Sequence, residues 1–339
     1  MKPDPADDSP ASWADLLSLR NALRSLALTG GIALHAINLY IVATVLPSVV
    51  GDIGGLEYYA WNTTLFVAAS IIGSVLATRL MEVVGPRNAY LLALVLFCVG
   101  AIGCAAAPSM GWMLVGRTVQ GLGGGLLFAL AYALIRIIFE ERLWARVMAL
   151  VTSVWGGATL IGPAIGGIFA QGGHWRWAFL AVLPVAALLA LIVISQLEGK
   201  ATVAAARNRI PFGKITLLVA SVLVISVGSL SSQLGWNIAG VVAALGISAL
   251  IVRLDRHAAV RLMPSGAYSL SSPLGAIYLT MALLIVGIST EVFIPYFLQV
   301  IHGRTPLVAG YMVAAMSLGW TTAALFGSAR TGVAADRLI

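Results

Sequence analysis

Apolar stretches of about twenty residues recur along this chain, and a stretch of that length can cross a lipid bilayer as a helix. About ten can be delimited, near 27–50, 59–80, 89–107, 112–137, 146–170, 177–196, 214–232, 236–253, 272–299 and 307–329. Charged residues make up 10% of the 339 residues, against about 25% in soluble domains. The sequence therefore predicts an all-α polytopic membrane protein and excludes a soluble enzyme or a disordered chain.

Basic residues fall mainly on one side of the predicted membrane. With the N-terminus in the cytoplasm, seventeen of the 20 Lys and Arg residues lie in cytoplasmic segments, two lie outside and Arg117 lies within a span. Because Lys and Arg are enriched in cytoplasmic loops, we expect both termini in the cytoplasm. A polytopic chain with this orientation and short loops fits a bacterial inner membrane. The net charge of +7 then reflects loops that face anionic lipid, and no nucleic-acid partner is expected.

Three ionisable side chains lie within spans, where they are costly and therefore candidates for function. They are His35, Arg117 and Glu291, and Glu291 is the only acid deep in a span. Structural explanations stay open, since Arg117 could satisfy backbone carbonyls and His35 could sit in a bundle with one hydrogen bond. The four histidines fall in separate segments, and no metalloprotease, hydrolase or P-loop motif occurs. We therefore expect no enzyme activity, no metal and no cofactor.

Glycines mark two of the predicted spans at a spacing of four residues, which places each pair on one helix face. These glycines are Gly121, Gly125, Gly162 and Gly166. Small residues let membrane helices approach closely, and Pro163 can kink its helix. Close packing explains the glycines, but it does not explain why Arg117 and Gln120 lie beside them.

The same segments resemble motifs of the major facilitator superfamily of secondary transporters. The span-4 motif R-x-x-Q-G-x-G matches the sequence from Arg117 to Gly123. The span-5 antiporter motif G-x-x-x-x-G-P-x-x-G-G is matched by Gly157, Gly162, Pro163, Gly166 and Gly167. A looser match to the span 2–3 loop motif L-A-D-R-x-G-R-R provides Glu82, Gly85 and Arg87, with Glu82 in place of the aspartate. The resemblance implies that these are conformational motifs.

Other segments are similar to the fourteen-span drug:proton antiporter branch of that family. They are 41–47, 174–179 and 295–299, and Asn38 stands where the span-1 pattern usually has an aspartate. The implied organisation is an N-terminal tail (1–26), a six-helix bundle (27–196), a linker (197–213), an extra hairpin (214–253), a loop (254–271) and two spans of a second bundle (272–339). Because about ten spans are present, we expect the second bundle to be truncated.

The resemblance implies a transporter that exports small amphipathic compounds by proton antiport and alternating access. Glu291 is expected to carry the proton, with Arg117 and His35 also in the coupling role. The expected substrate cavity contains Asn38, Tyr40, Gln120, Trp155 and Gln299. Partners are then the small-molecule substrate, protons and the lipid bilayer. Two other functions fit the same spans: a truncated inactive relative, and a membrane scaffold or assembly subunit without transport activity.

Overall fold

Helices form the regular structure of the described residues 13–197, 199, 211–258 and 260–328 in the computed structural model. No strand occurs within these ranges. Most of the predicted linker 197–213 and the last eleven residues of the predicted second bundle lie outside them. The first described element is the short helix α1 (Trp13–Leu17), within the predicted N-terminal tail.

Six membrane segments follow, and they pack into one bundle. The first helix has 35 residues and begins before the predicted span, at Leu19. The sixth segment is interrupted at Ala181, between α7 and α8. The helices are α2 (Leu19–Ile53), α3 (Trp61–Val84), α4 (Pro86–Ala105), α5 (Met110–Ile138), α6 (Trp144–Gln171), α7 (Trp175–Leu180) and α8 (Val182–Gln196).

Four further segments complete the described chain. The helices are α9 (Phe212–Gly228), α10 (Leu234–Arg256), α11 (Pro273–Ile288), α12 (Ile294–Tyr296) and α13 (Pro306–Ser328). The hairpin of α9 and α10 is joined by Ser221 Oγ, which donates to Ala244 O at 3.0 Å. Between α11 and α12 the backbone forms a 3₁₀ turn over Ser289–Phe293.

Eight of these segments, 20 to 33 residues long, are apolar enough to cross a membrane. Phe212–Gly228 and the first part of α13 are apolar but shorter. Large apolar side chains also cover the outside of the helices: Leu191 is 66% exposed and Leu245 is 65% exposed. Such a surface is unstable in water and suits lipid. The protein is therefore an integral, multi-pass membrane protein.

The backbones of α3 and α5 touch each other directly. A Cβ atom at Gly121 would overlap the backbone of Phe66, and one at Gly125 would overlap that of Ser70. The short distance lets Ser70 Oγ donate to Gly121 O at 2.9 Å, and Ser74 Oγ donate to Gly125 O at 3.1 Å. Small residues and hydroxyl groups thus hold this pair of helices together, as is common in membranes.

A second close contact joins α6 to α2 and to α13. A Cβ at Gly162 would overlap Tyr40, and one at Gly166 would lie 2.9 Å from Ile41 O. On the α13 side, a Cβ at Gly167 would lie 2.5 Å from the Cα of Leu307. Gly157 differs from the other three, because no described atom would lie within 4 Å of its Cβ. The glycines at 162, 166 and 167 therefore allow α6 to pack closely against both α2 and α13.

Candidate functional site

A buried polar network surrounds Arg117 on α5. The guanidinium is fully buried, and its Nη1 donates to Gln120 Oε1 at 2.6 Å. Its Nε donates to the backbone oxygen of Asn62 on α3 at 3.3 Å. Its Cζ lies 4.0 Å from the centre of the Phe66 ring, close enough for a cation–π interaction. Arg117 thereby ties two helices of the bundle together.

Gln120 extends the network to a third helix. Its Nε2 donates to Asn38 Oδ1 on α2 at 3.0 Å, and both side chains are fully buried. No described carboxylate lies within 4.0 Å of Arg117. Carbonyl oxygens and an aromatic face therefore balance its charge, whereas buried charges are usually paired with an opposite charge.

A cavity of about 490 Å³ lies between the bundle and the segments that follow the hairpin. Leu39 and Tyr40 of α2, Val67 of α3 and Trp155 of α6 form one wall. Ile285, Ser289, Glu291 and Val292 form the other. Glu291 is the only carboxylate among these described lining residues, and most of the others are apolar. Clefts of this size that are mostly apolar, with a few polar groups, are typical of small-molecule sites.

Glu291 connects to the bundle through a short chain of hydroxyl groups. Ser317 Oγ on α13 lies 3.5 Å from Glu291 Oε1, and the Tyr40 hydroxyl lies 3.1 Å from Ser317 Oγ. Glu291 sits in the 3₁₀ turn rather than in a regular helix. Three separate elements, α2, the 3₁₀ turn and α13, therefore meet at this carboxylate.

Aromatic contacts and one amide hold the 3₁₀ turn in place. The buried ring of Tyr59 lies 5.9 Å from the ring of Phe293 and 5.4 Å from that of Tyr296. Gln299 Nε2 donates to Thr44 O on α2 at 3.0 Å. The position of Glu291 is thus set by contacts on both sides of it in the chain.

A second cavity of about 350 Å³ lies between α2, α3, α5 and α6, and it shares Leu39, Val67 and Trp155 with the first. The hydroxyl groups of Ser70 and Ser74 also line it, but both donate to the backbone of α5. His35 Nδ1 is buried there and has no hydrogen-bond partner among the described residues. His35 Nδ1 is therefore a buried polar atom without a partner beside this cavity.

The sequence-predicted residues thus fall into separate places. Tyr40, Trp155 and Glu291 line the larger cavity, and His35 lines the smaller one. Asn38 and Gln120 lie in the buried network, and Gln299 contacts the backbone of α2. Two further site residues carry no sequence signal: Asn62 contributes its backbone oxygen, and Ser317 is one of several serines in the spans.

The loop between α3 and α4 contains the looser motif. Glu82 forms an ion pair with Arg79 of the same helix at 3.1 Å. Gly85 ends α3 with φ of 82°, a conformation that favours glycine, and Pro86 begins α4. A Cβ at Gly199 would lie 2.7 Å from Arg87 Nη2, so this loop meets the chain that follows α8. In the described residues, no group of three His, Cys, Asp or Glu side chains could hold a metal.

Known proteins share both the sequence and the fold. The chain is 39% identical to a probable multidrug-efflux transporter of Mycobacterium tuberculosis over 316 residues, which cover 91% of this chain and 67% of the relative. It is 26% identical to multidrug resistance protein 3 of Bacillus subtilis, covering 89% of this chain and 60% of that protein. The chain thus spans about two thirds of the length of these relatives, or less.

A solved structure and a family model agree with these relatives. The D-xylose–proton symporter structure matches with a TM-score of 0.50 at 16% identity, covering 88% of this chain and 80% of that one. The family model described as Major Facilitator Superfamily matches residues 28–338. The resemblance drawn from the span-4 and span-5 motifs is therefore confirmed. The chain belongs to the Major Facilitator Superfamily, a family of transporters rather than enzymes.

Proposed function

We propose that the protein exports small amphipathic compounds and that protons moving in the opposite direction drive the export. One observation carries this proposal: Glu291 contributes a single carboxylate to a mostly apolar cavity, at the contact between the bundle and the later helices. The names of the mycobacterial and Bacillus relatives, which describe multidrug efflux, support the same activity.

The lining of the cavity favours amphipathic compounds that carry a positive charge. Leu39, Val67 and Trp155 offer apolar and aromatic surface, on which a flat ring system can pack. The Glu291 carboxylate offers the opposite charge at one end. Among the described residues the carboxylate has one hydrogen-bond contact, with Ser317 at 3.5 Å, so binding of a cation there would remove much of the cost of the buried ionised acid.

A proton would neutralise the same carboxylate. The cation and the proton therefore compete for Glu291, and only one of them needs to be bound at a time. Competition of this kind is sufficient to exchange a proton for the compound. It requires that the proton-bound form and the compound-bound form open the cavity to opposite sides of the membrane. Tyr40 and Ser317 would transmit the change, because they connect Glu291 to α2 and α13.

Arg117 has a positioning role in this proposal. Its network holds α2, α3 and α5 together behind the cavity, and neither it nor Gln120 lines the cavity wall. His35 lines the second cavity, but its Nδ1 is buried against Gly124 of α5 and is not open to a bound compound. The proposed couplings of Arg117 and His35 to the proton are thus indirect.

The test is efflux of a fluorescent lipophilic cation from membrane vesicles that carry a pH gradient. Glu291→Gln should abolish efflux driven by the gradient, because the amide cannot exchange a proton. Glu57→Gln is the matched control, since Glu57 is exposed and lies outside both cavities. Unchanged efflux by Glu291→Gln would contradict the proposal, and absence of efflux by the unmodified protein would favour a scaffold function.

A further inference from the structure

The loop between α10 and α11 is organised around one buried acid. Asp255 is fully buried, and its Oδ1 accepts from Lys214 Nζ at 2.5 Å and from the backbone N–H of Leu262 at 2.7 Å. Its Oδ2 accepts from the N–H of Met263 at 3.1 Å and from the Tyr268 hydroxyl at 3.0 Å. A carboxylate with four donors fixes the path of this loop firmly.

The fixed loop encloses a pocket of about 220 Å³. Arg256 and Arg261 line it together with the small residues Ser265, Gly266 and Ser269. Arg256 Nη2 donates to Tyr268 O at 2.7 Å, so its guanidinium is held at the pocket. Among the described residues, Arg261 Nε contacts Ala258 O at 3.4 Å.

The pocket carries an excess of positive charge. Asp255 also lines it, but Lys214 already compensates that carboxylate. No described carboxylate lies within 4.0 Å of either Arg256 or Arg261. Both guanidinium groups therefore have donors free for an anion, and a guanidinium matches the geometry of phosphate oxygens well.

Exposed apolar side chains occur on the helices and the loop that flank the pocket in the chain. Leu254 on α10 is 45% exposed, Leu270 in the loop is 72% exposed and Ile277 on α11 is 55% exposed. The pocket lies between the end of α10 and the start of α11, and we expect lipid headgroups at the ends of such apolar helices. A ligand with an anionic head and apolar chains would fit both parts of this surface.

We propose that this pocket binds the phosphate group of an anionic phospholipid, whose acyl chains lie along the exposed faces of α10 and α11. Basic pockets at the ends of membrane helices bind such headgroups through charge and hydrogen bonds together. The proposed site lies at one end of the extra hairpin, and the proposal does not depend on the transport activity.

The experiment counts lipids that remain bound to the purified protein, by native mass spectrometry, after addition of phosphatidylglycerol or phosphatidylcholine. Arg256→Gln combined with Arg261→Gln should reduce retained phosphatidylglycerol about tenfold. Arg136→Gln combined with Arg253→Gln is the matched control, because it removes two exposed charges that do not line the pocket. This control should retain phosphatidylglycerol as the unmodified protein does.

Two additional measurements make the result decisive. Arg261→Gln alone keeps the Arg256 contact with the loop, so it tests the pocket even if the double variant does not fold. Inorganic phosphate is added in a separate arm as a competitor. Equal retention of phosphatidylglycerol in pocket and control variants would overturn the proposal. Equal retention of phosphatidylcholine would overturn the assignment to an anionic lipid, and binding of inorganic phosphate without any retained lipid would show that the pocket takes the free anion instead.

Discussion

The hydroxyl groups of Tyr40 and Ser317 lie 3.1 Å apart, although 277 residues separate them in the sequence. This contact joins α2 of the bundle to α13, and Ser317 also reaches Glu291. A change in the charge of the Glu291 carboxylate can therefore affect α2 and α13 together. A variant that removes this contact can therefore distinguish an effect on binding of a compound from an effect on its efflux.

Tyr40→Phe should weaken efflux while leaving binding of the fluorescent cation nearly unchanged. The variant keeps the ring in the cavity wall but removes one hydrogen bond, which contributes about 0.5–1.5 kcal/mol. We expect efflux to fall about three- to tenfold. Tyr311→Phe is the control, since Tyr311 is 42% exposed on α13. Equal effects of the two variants on efflux would speak against a role for the Tyr40–Ser317 contact.

Gln120→Leu should destabilise the bundle. The apolar side chain would leave Arg117 Nη1 and Asn38 Oδ1 without their partner in a buried place, and each such loss costs about 1–3 kcal/mol. Thermal unfolding of the detergent-solubilised protein measures this cost. Gln233→Leu makes the same exchange at an exposed position and should leave the midpoint unchanged. A stable Gln120→Leu protein would mean that the network does not hold the helices together.

Gly162→Ala should be far more harmful than Gly157→Ala, although both positions belong to one motif. The added methyl group at 162 would overlap Tyr40 and separate α6 from α2, at a cost of about 1–3 kcal/mol. The methyl group at 157 would enter open space among the described residues. Unfolding midpoints of both variants check this order. The reverse order, or equal midpoints, would contradict the described seam between α6 and α2.

The Tyr268 phenol should lose its proton at a higher pH than an ordinary tyrosine. Desolvation and the hydrogen bond to Asp255 raise the pKa of Tyr268 to about 12, so its bond to Asp255 is complete below about pH 10. Because the pKa is raised by folding, this stabilisation is lost as the pH rises from about 10 to about 12. The phenolate absorbance of the unmodified protein minus that of Tyr268→Phe gives the midpoint.

Asp255→Asn supplies the control for that titration. It removes the neighbouring negative charge, so the midpoint of the Tyr268 phenolate should fall toward the ordinary tyrosine value of about 10. A midpoint that stays near 12 in Asp255→Asn would show that desolvation accounts for the raised pKa without a contribution from the carboxylate.

Much of the architecture could be predicted from local pattern alone. The lengths of the apolar stretches predicted where the helices lie in the sequence. The spacing of the glycines indicated which helix faces approach a neighbouring helix. The family resemblance followed from Arg117, Gln120 and the glycines near them. Each of these signals lies within one span, so neighbouring residues are enough to recognise it.

The remaining features depend on contacts between distant residues. The 3₁₀ turn at Glu291 lies inside a continuous apolar run, and hydropathy does not distinguish it from a regular helix. The cluster around Asp255 joins residues up to 46 positions apart through Lys214. Asn38 and Gln120 were expected in the cavity because they are polar, but Gln120 Nε2 donates to Asn38 Oδ1 within the buried network around Arg117.

The backbone contacts at Gly121, Gly125, Gly162 and Gly166 have a consequence for evolution. Helices that meet backbone to backbone can exchange few of the residues between them, whereas the cavity residues Leu39, Val67 and Trp155 face open space. Inherited variation can therefore accumulate on the cavity wall while the seams stay unchanged. Under the proposed export function, a few substitutions in the cavity wall would change which compounds are accepted while the same scaffold is kept.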